Sequence, residues 1–578
     1  MKRSTIYILL LLCLVFNVYA NVYGGEFAYD DYYFIRDNPG VHTLSNFGTF
    51  FTDISRTSSQ ELQFDVYRPL TTVSFAITHA LFGLNPLPYH VTNIVLHALN
   101  VMLVFFLLRR VTGDETKAVL AAAIFAVHPA QVEAVSWISA RGNVQSLLFM
   151  LLAFLAFLKW RDHGSPATKS SAGRRITDHG SRSWLYALSL ILYILSMFSK
   201  ESGIVLPALL FAWLAFVPPT WRAGPSKERR ATLWRHALRL VPFLAAAVAF
   251  LILRTLILGQ LGQMSLHGGN PFAHALFATQ TIASYLKIVI APIALTIIHD
   301  IPTTETLYGP ASGIALSAIV LAVYLPLRLG KRSFLYPLGM AWFFIALAPA
   351  MNIVPIRTFT DERFLYAPLI GFALIAVQGA YDLGALLPWK RTAVAFLLCL
   401  ITLYSARTIM RNRDWAGPIP LWESAARVNP VSSRAMYSLG FEHDRRGHYD
   451  TAMGYYIEAM RGHDITGMYA MTNIARMLER RGEIERAMFV NEESMKLYPE
   501  KSHAYINQAW ILMTKLGDYG RAEQLLDRAL DLDPDLYYVH AALAYLYENT
   551  SRPEAAKRHR ERASRLNPAF GITGVKKR

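Results

Sequence analysis

Apolar runs of bilayer length recur along the first 408 residues, near 5–23, 89–108, 118–140, 143–159, 183–199, 203–219, 237–258, 310–327, 335–355, 364–386 and 391–407. A bilayer core takes about 20 mostly apolar residues per helix, so the pattern predicts about 11 crossings. The stretch 272–298 is apolar as well, but Lys287 and Pro292 interrupt it, and it is expected to be re-entrant or doubled back. Between the first two runs lies a mixed polar and aromatic loop, 24–88, with apolar turns such as Leu81-Phe82-Gly83-Leu84 suited to a membrane surface.

Beyond Pro430 the pattern turns polar and helical, with a repeat. Gly447, Gly482 and Gly517 stand 35 residues apart, and Ser551 comes 34 later. Ala452, Ala487, Ala522 and Ala556 keep step, as do Ala459, Ser494, Ala529 and Ala563, while Pro499, Pro534 and Pro568 close the last three units. Small residues let paired helices approach, Gly turns a hairpin and Pro ends a helix, so four tetratricopeptide repeats are expected over 433–570. Asp464 stands where the first unit's closing Pro is expected, and Ser551 with Pro553 marks an atypical last unit. A connector, 409–432, holds part of a preceding repeat (Trp422, Ala425, Pro430), and 571–578 is a basic tail. The expected fold class is all-α: a polytopic membrane domain over 1–408 followed by an α-solenoid.

Charge sets the orientation. Cations gather at Lys2 and Arg3, Arg109 to Lys117, Lys159 to Arg182, Arg222 to Arg239, Arg328 to Arg332, and Lys390 with Arg391. All fall on one side if the N-terminus is cytoplasmic, and few fall on the other, as the positive-inside rule requires. The repeats then lie outside. Arg407, Arg411 and Arg413, at the outer end of the last run, resist this assignment. The first segment also reads as a cleavable signal peptide, with Val18-Tyr19-Ala20 before Asn21; the loop after it starts outside either way. The net charge of +16 forms no soluble basic patch, which argues against nucleic acid, and Cys13 with Cys399 gives neither a disulfide framework nor metal spacing.

Ionisable groups persist where they are costly. His90, Asn93, His97 and Asn100 form one narrow stripe on the second run, suited to a lined cavity or to interhelical hydrogen bonds. Glu133, Trp137 and Arg141, at steps of four, are expected to share a helical face beside Pro129, with a Glu–Arg pair as the plain alternative. Asp30, Asp31, Glu133, Arg141, Lys200, Glu201, Glu362 and Arg363 all map to one outer rim.

Several motifs occur in a set order. Asp30-Asp31 follows the first helix. Tyr67-Arg68-Pro69-Leu70 comes next, then Ser74-Phe75, Tyr89-His90 with its stripe, and His128-Pro129 with Glu133-Ala134-Val135. Lys200-Glu201, Glu362-Arg363 with Leu365-Tyr366 and the repeats complete the set. Together they resemble the transmembrane and tetratricopeptide-repeat O-mannosyltransferase family and its bacterial relatives. The resemblance implies a C-type glycosyltransferase fold, a polyprenyl-phosphate sugar as donor, inversion, and work on the outer or lumenal face. It leans against an obligatory divalent metal without closing that option. Gly- and Arg-rich 164–182 departs from the compact family pattern.

In this reading Asp30 or Asp31 is the base on an acceptor hydroxyl. Arg141, Lys200 and Arg363 take the leaving phosphate. Glu133 joins the catalytic set, and Glu201 and Glu362 hold cations or sugar hydroxyls. Tyr67, Arg68, His90, His97 and His128 support the site. The repeat groove, with Tyr437, Phe441, Tyr469, Arg476, Asn507, Lys515, Tyr538 and Tyr545, is expected to hold an acceptor or partner protein. The short helices and basic loops fit a bacterial inner membrane with the repeats in the periplasm; an endoplasmic reticulum membrane is the other option. The competing function is a membrane-anchored scaffold that recruits envelope or secretory proteins. A transporter fits less well, since no internal duplication is visible.

Overall fold

The computed structural model describes residues 3–58, 66–163, 180–217, 234, 237–259, 265–299, 307–356, 358–386, 391–462 and 464–566. The loop 164–179, most of the basic segment 218–236, residues 567–570 of the last repeat and the tail 571–578 lie outside the described residues. Among those described, helices are the regular elements throughout. The chain divides into two compact units, with the change after Gly417.

The first unit is built from α1 (Arg3–Val18), α2 (Pro69–Phe82), α3 (Pro86–Thr112), α4 (Glu115–Val127), α5 (Val132–Ser136), α6 (Arg141–His163), α7 (Gly180–Ser199), α8 (Leu206–Phe216), α9 (Val241–Leu258), α10 (Pro271–Ile290), α11 (Pro310–Leu329), α12 (Leu335–Leu347), α13 (Leu369–Gly384) and α14 (Thr392–Asn412). Every predicted apolar run carries a helix. Six of these are long and apolar enough to cross a bilayer, and a bent pair makes up to 7; α7, α8, α12 and α13 are shorter apolar helices. Their packed faces join one continuous apolar core.

Two expectations change. The run 118–140 is not one straight crossing: the helix stops at Val127, turns 55° at Pro129 and resumes only to Ser136. Trp137 is extended (φ −77°, ψ 121°), so Glu133, Trp137 and Arg141 do not share a helical face. Pro129 lacks an amide hydrogen, and His128 fills the break by accepting the Ala130 amide on Nδ1. Within the stretch 272–298, α10 runs unbroken past Lys287 to Ile290, and the chain leaves the helix before Pro292.

The second unit stacks helical hairpins: α15 (Pro418–Val428), α16 (Ser433–Arg445), α17 (Tyr449–Met460), α18 (Ile465–Arg480), α19 (Ile484–Leu497), α20 (His503–Ile511), α21 (Tyr519–Leu532), α22 (Tyr537–Asn549) and α23 (Pro553–Leu566). Gly447, Gly482 and Gly517 turn the hairpins at φ +79°, +80° and +67°, a region costly for a side chain. Ser551 takes φ +56° at the equivalent place in the last unit. The periodic Ala452, Ala487, Ala522 and Ala556 are all buried between paired helices. Asp464 caps α18 by accepting the amides of Thr466 and Gly467, which explains how the first unit closes without Pro.

Candidate active site

The loop after α1 brings Asp30 and Asp31 to the broken end of α5, and the two acids differ in their surroundings. Asp31 is 1% exposed. Its Oδ1 accepts the Ser139 amide at 2.8 Å and the Ser139 hydroxyl, and its Oδ2 accepts the Ala28 amide at 3.0 Å. Burial pushes its carboxyl up to about 7 against those donors. Asp30 is half-buried and lies within electrostatic range of Arg363. Tyr29, just before it, takes φ +57°, a strained conformation that costs about 1–3 kcal/mol for a side chain. Its ring packs 5.5 Å from Trp137, which stacks on Trp415.

Arg363 stands at the centre. Its Nη1 donates to Glu133 at 2.6 Å and its Nη2 to Asp361 at 2.5 Å, while its own amide reaches the other Glu133 oxygen at 3.2 Å. The guanidinium lies 4.9 Å from the Trp137 ring centre and 5.4 Å from that of Phe364. Glu133 therefore holds Arg363, 230 residues away, and not Arg141.

Lys200 approaches the same Phe364 ring, at 4.6 Å. It is 1% exposed, its ammonium donates to Asn143 Oδ1, and no ion pair neutralises it among the described residues. Burial, with Arg68 and Arg363 nearby, lowers its pKa well below the usual lysine value. Arg68 makes two hydrogen bonds to Glu201, at 3.0 and 2.7 Å. Beside Lys200 opens a small cleft with a cavity volume of about 30 Å³. Asn143, Ser146, Ser202 and Arg363 line its polar side, and Leu147, Met150, Val205 and Ala350 its apolar side.

Arg141 is elsewhere employed. It is fully buried, and its fork donates to Asn93 Oδ1 at 2.9 Å, Ser74 O at 3.1 Å, Thr78 Oγ1 at 3.1 Å and Tyr89 O at 3.1 Å. These bonds tie α6 to α2 and α3, so the expectation of a phosphate ligand there gives way to a structural role. The histidine stripe takes the hydrogen-bonding alternative: His97 bridges Tyr366 OH at 2.8 Å and Ala126 O at 3.0 Å, and Asn100 donates to Val144 O at 2.8 Å. His90 packs on Gly25, where a Cβ would come within 2.8 Å of its Nε2. His128 reaches Val289 O at 3.0 Å, and Tyr67 donates to Phe51 O at 3.0 Å.

In the sequence Arg411 stands only as an exception to the charge rule. It is fully buried and donates to Glu362 at 3.3 Å and to Asp414 at 3.0 Å. Glu362 also accepts the Thr296 amide at 2.6 Å; burial raises its pKa while Arg411 pulls it down. The signal is present in the chain: a cation on the unexpected side of a span needs a carboxylate partner. Arg407 likewise donates to Ile293 O at 2.9 Å. Among the described residues no three His, Cys, Asp or Glu side chains are grouped to hold a metal ion.

In the second unit Tyr437 lies 6.4 Å from Phe441 and 6.2 Å from Tyr469, Tyr469 meets His503 at 5.3 Å, and Trp510 meets Tyr545 at 5.0 Å. These aromatics therefore run from repeat to repeat. Arg476 donates to Asn473, Asn507 to Thr472 O at 3.4 Å, and Lys515 pairs with Glu479 at 3.4 Å. Tyr538 is 52% exposed.

Comparison with known proteins bears on both units. A tetratricopeptide-repeat family model matches residues 502–536. Human protein O-mannosyl-transferase TMTC3 is 24% identical over 95% of this chain. The chain is thus similar to proteins named protein O-mannosyl-transferases. It spans 63% of the length of human TMTC3. Drosophila melanogaster Tmtc3 is 25% identical, over 89% of this chain and 62% of its own length. Human TMTC4 is 26% identical, over 76% and 64%. Among solved structures, an Archaeoglobus fulgidus oligosaccharyltransferase tethered with an acceptor peptide aligns with TM-score 0.42 and 15% identity, over 78% of this chain and 59% of its own. ArnT from Cupriavidus metallidurans bound to undecaprenyl phosphate aligns with TM-score 0.38 and 13% identity, over 94% and 81%.

Proposed function

We propose that this chain is an inverting membrane glycosyltransferase of C-type fold. It moves a sugar from a polyprenyl-phosphate donor to an acceptor hydroxyl, such as a protein Ser or Thr, on the non-cytoplasmic face. The observation that carries this reading is Lys200: a buried ammonium with one amide acceptor and no carboxylate partner among the described residues, sharing the Phe364 ring with Arg363. An incoming phosphate would supply the anionic partner that Lys200 lacks among the described residues, with Arg363, already held by Glu133 and Asp361, as a second contact. The relatives' names support transfer of a sugar to protein; the donor and the side are this reading's own.

Asp30 takes the proton of the acceptor hydroxyl as its oxygen bonds to the anomeric carbon. The bond from that carbon to the phosphate oxygen breaks, and polyprenyl phosphate departs with the electron pair. A single displacement with attack opposite the phosphate inverts the centre. Asp31 positions Asp30 through Ser139 and Ala28. Arg363, held by Glu133 and Asp361, makes the paired contact and Lys200 the point contact to the phosphate. The apolar side of the cleft suits the first part of the carrier chain, which would arrive sideways from the bilayer. The repeat groove holds the acceptor or a partner protein. A bacterial inner membrane, with the repeats in the periplasm, is the setting this reading favours.

The test is incubation of purified full-length protein, in lipid discs, with a panel of polyprenyl-phosphate sugars and a Ser/Thr-rich acceptor peptide, then product mass spectrometry. Transfer from at least one lipid-linked donor is expected. Transfer from none, with peptide still captured by the repeats, would favour the scaffold instead.

A further inference from the structure

Among the described residues three side chains other than Gly take a positive φ: Tyr29, Asn352 and Ser551. Asn tolerates this region and Ser551 sits in a repeat turn, but a bulky ring adopts it rarely. The turn at Tyr29 has a use of its own. It folds the chain so that the Asp31 amide donates to Ala28 O at 3.1 Å and the Ala28 amide to Asp31 Oδ2 at 3.0 Å. Gly at position 29 would make the same turn without strain. What Gly lacks is the ring, so the strained backbone serves to place it.

The ring is half-buried, with its centre 5.5 Å from that of Trp137, which stacks on Trp415 at 5.5 Å. Both indoles are buried, and neither Nε1–H has a hydrogen-bond acceptor among the described residues. A hydroxylated ligand at this stack would supply one. The Arg363 guanidinium lies 4.9 Å from the Trp137 ring centre, and Tyr29, like Asp30, is within electrostatic range of it. Arg363 also lines the cleft beside Lys200. In the proposed reaction Asp30 faces the acceptor hydroxyl and Arg363 the departing phosphate, so the sugar lies between them. Tyr29 adjoins the first along the chain and the second in space.

We infer that the Tyr29 ring, backed by Trp137 and Trp415, is the platform on which the donor's sugar ring stacks, so that Tyr29 is a specificity residue for the sugar. An aromatic face takes up the C–H side of a sugar ring, and the few polar groups around it meet the hydroxyls. The inference rests on the glycosyltransferase reading above.

The experiment measures binding to the full chain in lipid discs. Its probes are a panel of polyprenyl-phosphate hexoses, bare polyprenyl phosphate and a Ser/Thr-rich peptide. The variants are Tyr29→Phe, which keeps the ring, and Tyr29→Asn and Tyr29→Gly, which suit the turn and remove it. The wild type should bind at least one sugar-bearing carrier more tightly than the bare one. Tyr29→Asn and Tyr29→Gly should lose about 3- to 10-fold in affinity for that carrier and none for the bare one, with Tyr29→Phe close to the wild type. Unchanged affinity for the sugar-bearing carrier in all three variants, or a loss confined to the peptide, overturns the inference and leaves the transferase reading standing. If the melting temperature falls while both carrier affinities hold, Tyr29 is packing only and the inference fails. A wild type that binds neither carrier removes both readings.

Discussion

Replacing Lys200 with Met separates function from stability at one position. The ammonium is buried, has one neutral acceptor and sits near two guanidinium groups, so it opposes folding. Its folded pKa lies below the ordinary lysine value, so the unfolded chain holds the proton more tightly. The penalty is therefore full below the folded pKa and fades as pH rises from there to the ordinary lysine value. Each pKa unit of depression corresponds to about 1.4 kcal/mol. Met fills a similar volume without the charge, so a gain of at least about 1 kcal/mol is expected, and the melting temperature should rise. The loss falls on the donor: a charge-assisted bond to phosphate is worth about 1.5–3 kcal/mol, or roughly 10- to 100-fold in kcat/KM. Thermal melting in lipid discs, with initial rates at varied donor, measures both. A lower melting temperature with unchanged donor kcat/KM would refute the reasoning, because Lys200 would then be a structural group.

Arg141→Lys should show the opposite signature: one ammonium cannot serve acceptors on three sides, and leaving about two unsatisfied costs about 2–6 kcal/mol, seen as a lower melting temperature with donor KM nearly unchanged. Asp30→Asn should cut kcat by about 10²- to 10⁴-fold while the repeats still bind their partner, and full turnover would eliminate the base. For Asp31, a folded pKa of about 7 above the ordinary aspartate value means the native state holds the proton more tightly. Its contribution to stability is therefore greatest in acid and is lost as pH rises from about 4 to 7. Asp31→Asn should flatten that part of the curve of melting temperature against pH, and an unchanged curve would refute the assignment.

The charges around Arg363 show how far a sequence can be read. Glu133 and Arg141 are eight residues apart, which on a straight helix would place them two turns apart on one face. Pro129 and the extended Trp137 remove that geometry, and each residue finds partners on other segments. Asp30 and Asp31 look alike in the chain; only the position of Ser139, 108 residues on from Asp31, shows that Asp31 is buried on its amide and hydroxyl while Asp30 is half-buried. Arg411 contradicts the charge rule in the sequence, and Glu362 and Asp414 beside it in the fold resolve the conflict.

The repeats and the apolar runs are legible along the chain alone. Both come from local rules: a 35-residue period in Gly and Ala has one helical-hairpin solution, and some 20 apolar residues in lipid must close their own backbone hydrogen bonds as helix. Which charges meet is set by the packing of distant segments. A buried ion pair depends on where remote segments pack, and a backbone break of a few residues redirects every side chain beyond it. Burial then sorts cations that look equivalent in the chain: Arg141 uses its donors within the fold, and Lys200, beside an open cleft, has one amide acceptor and no ion pair among the described residues.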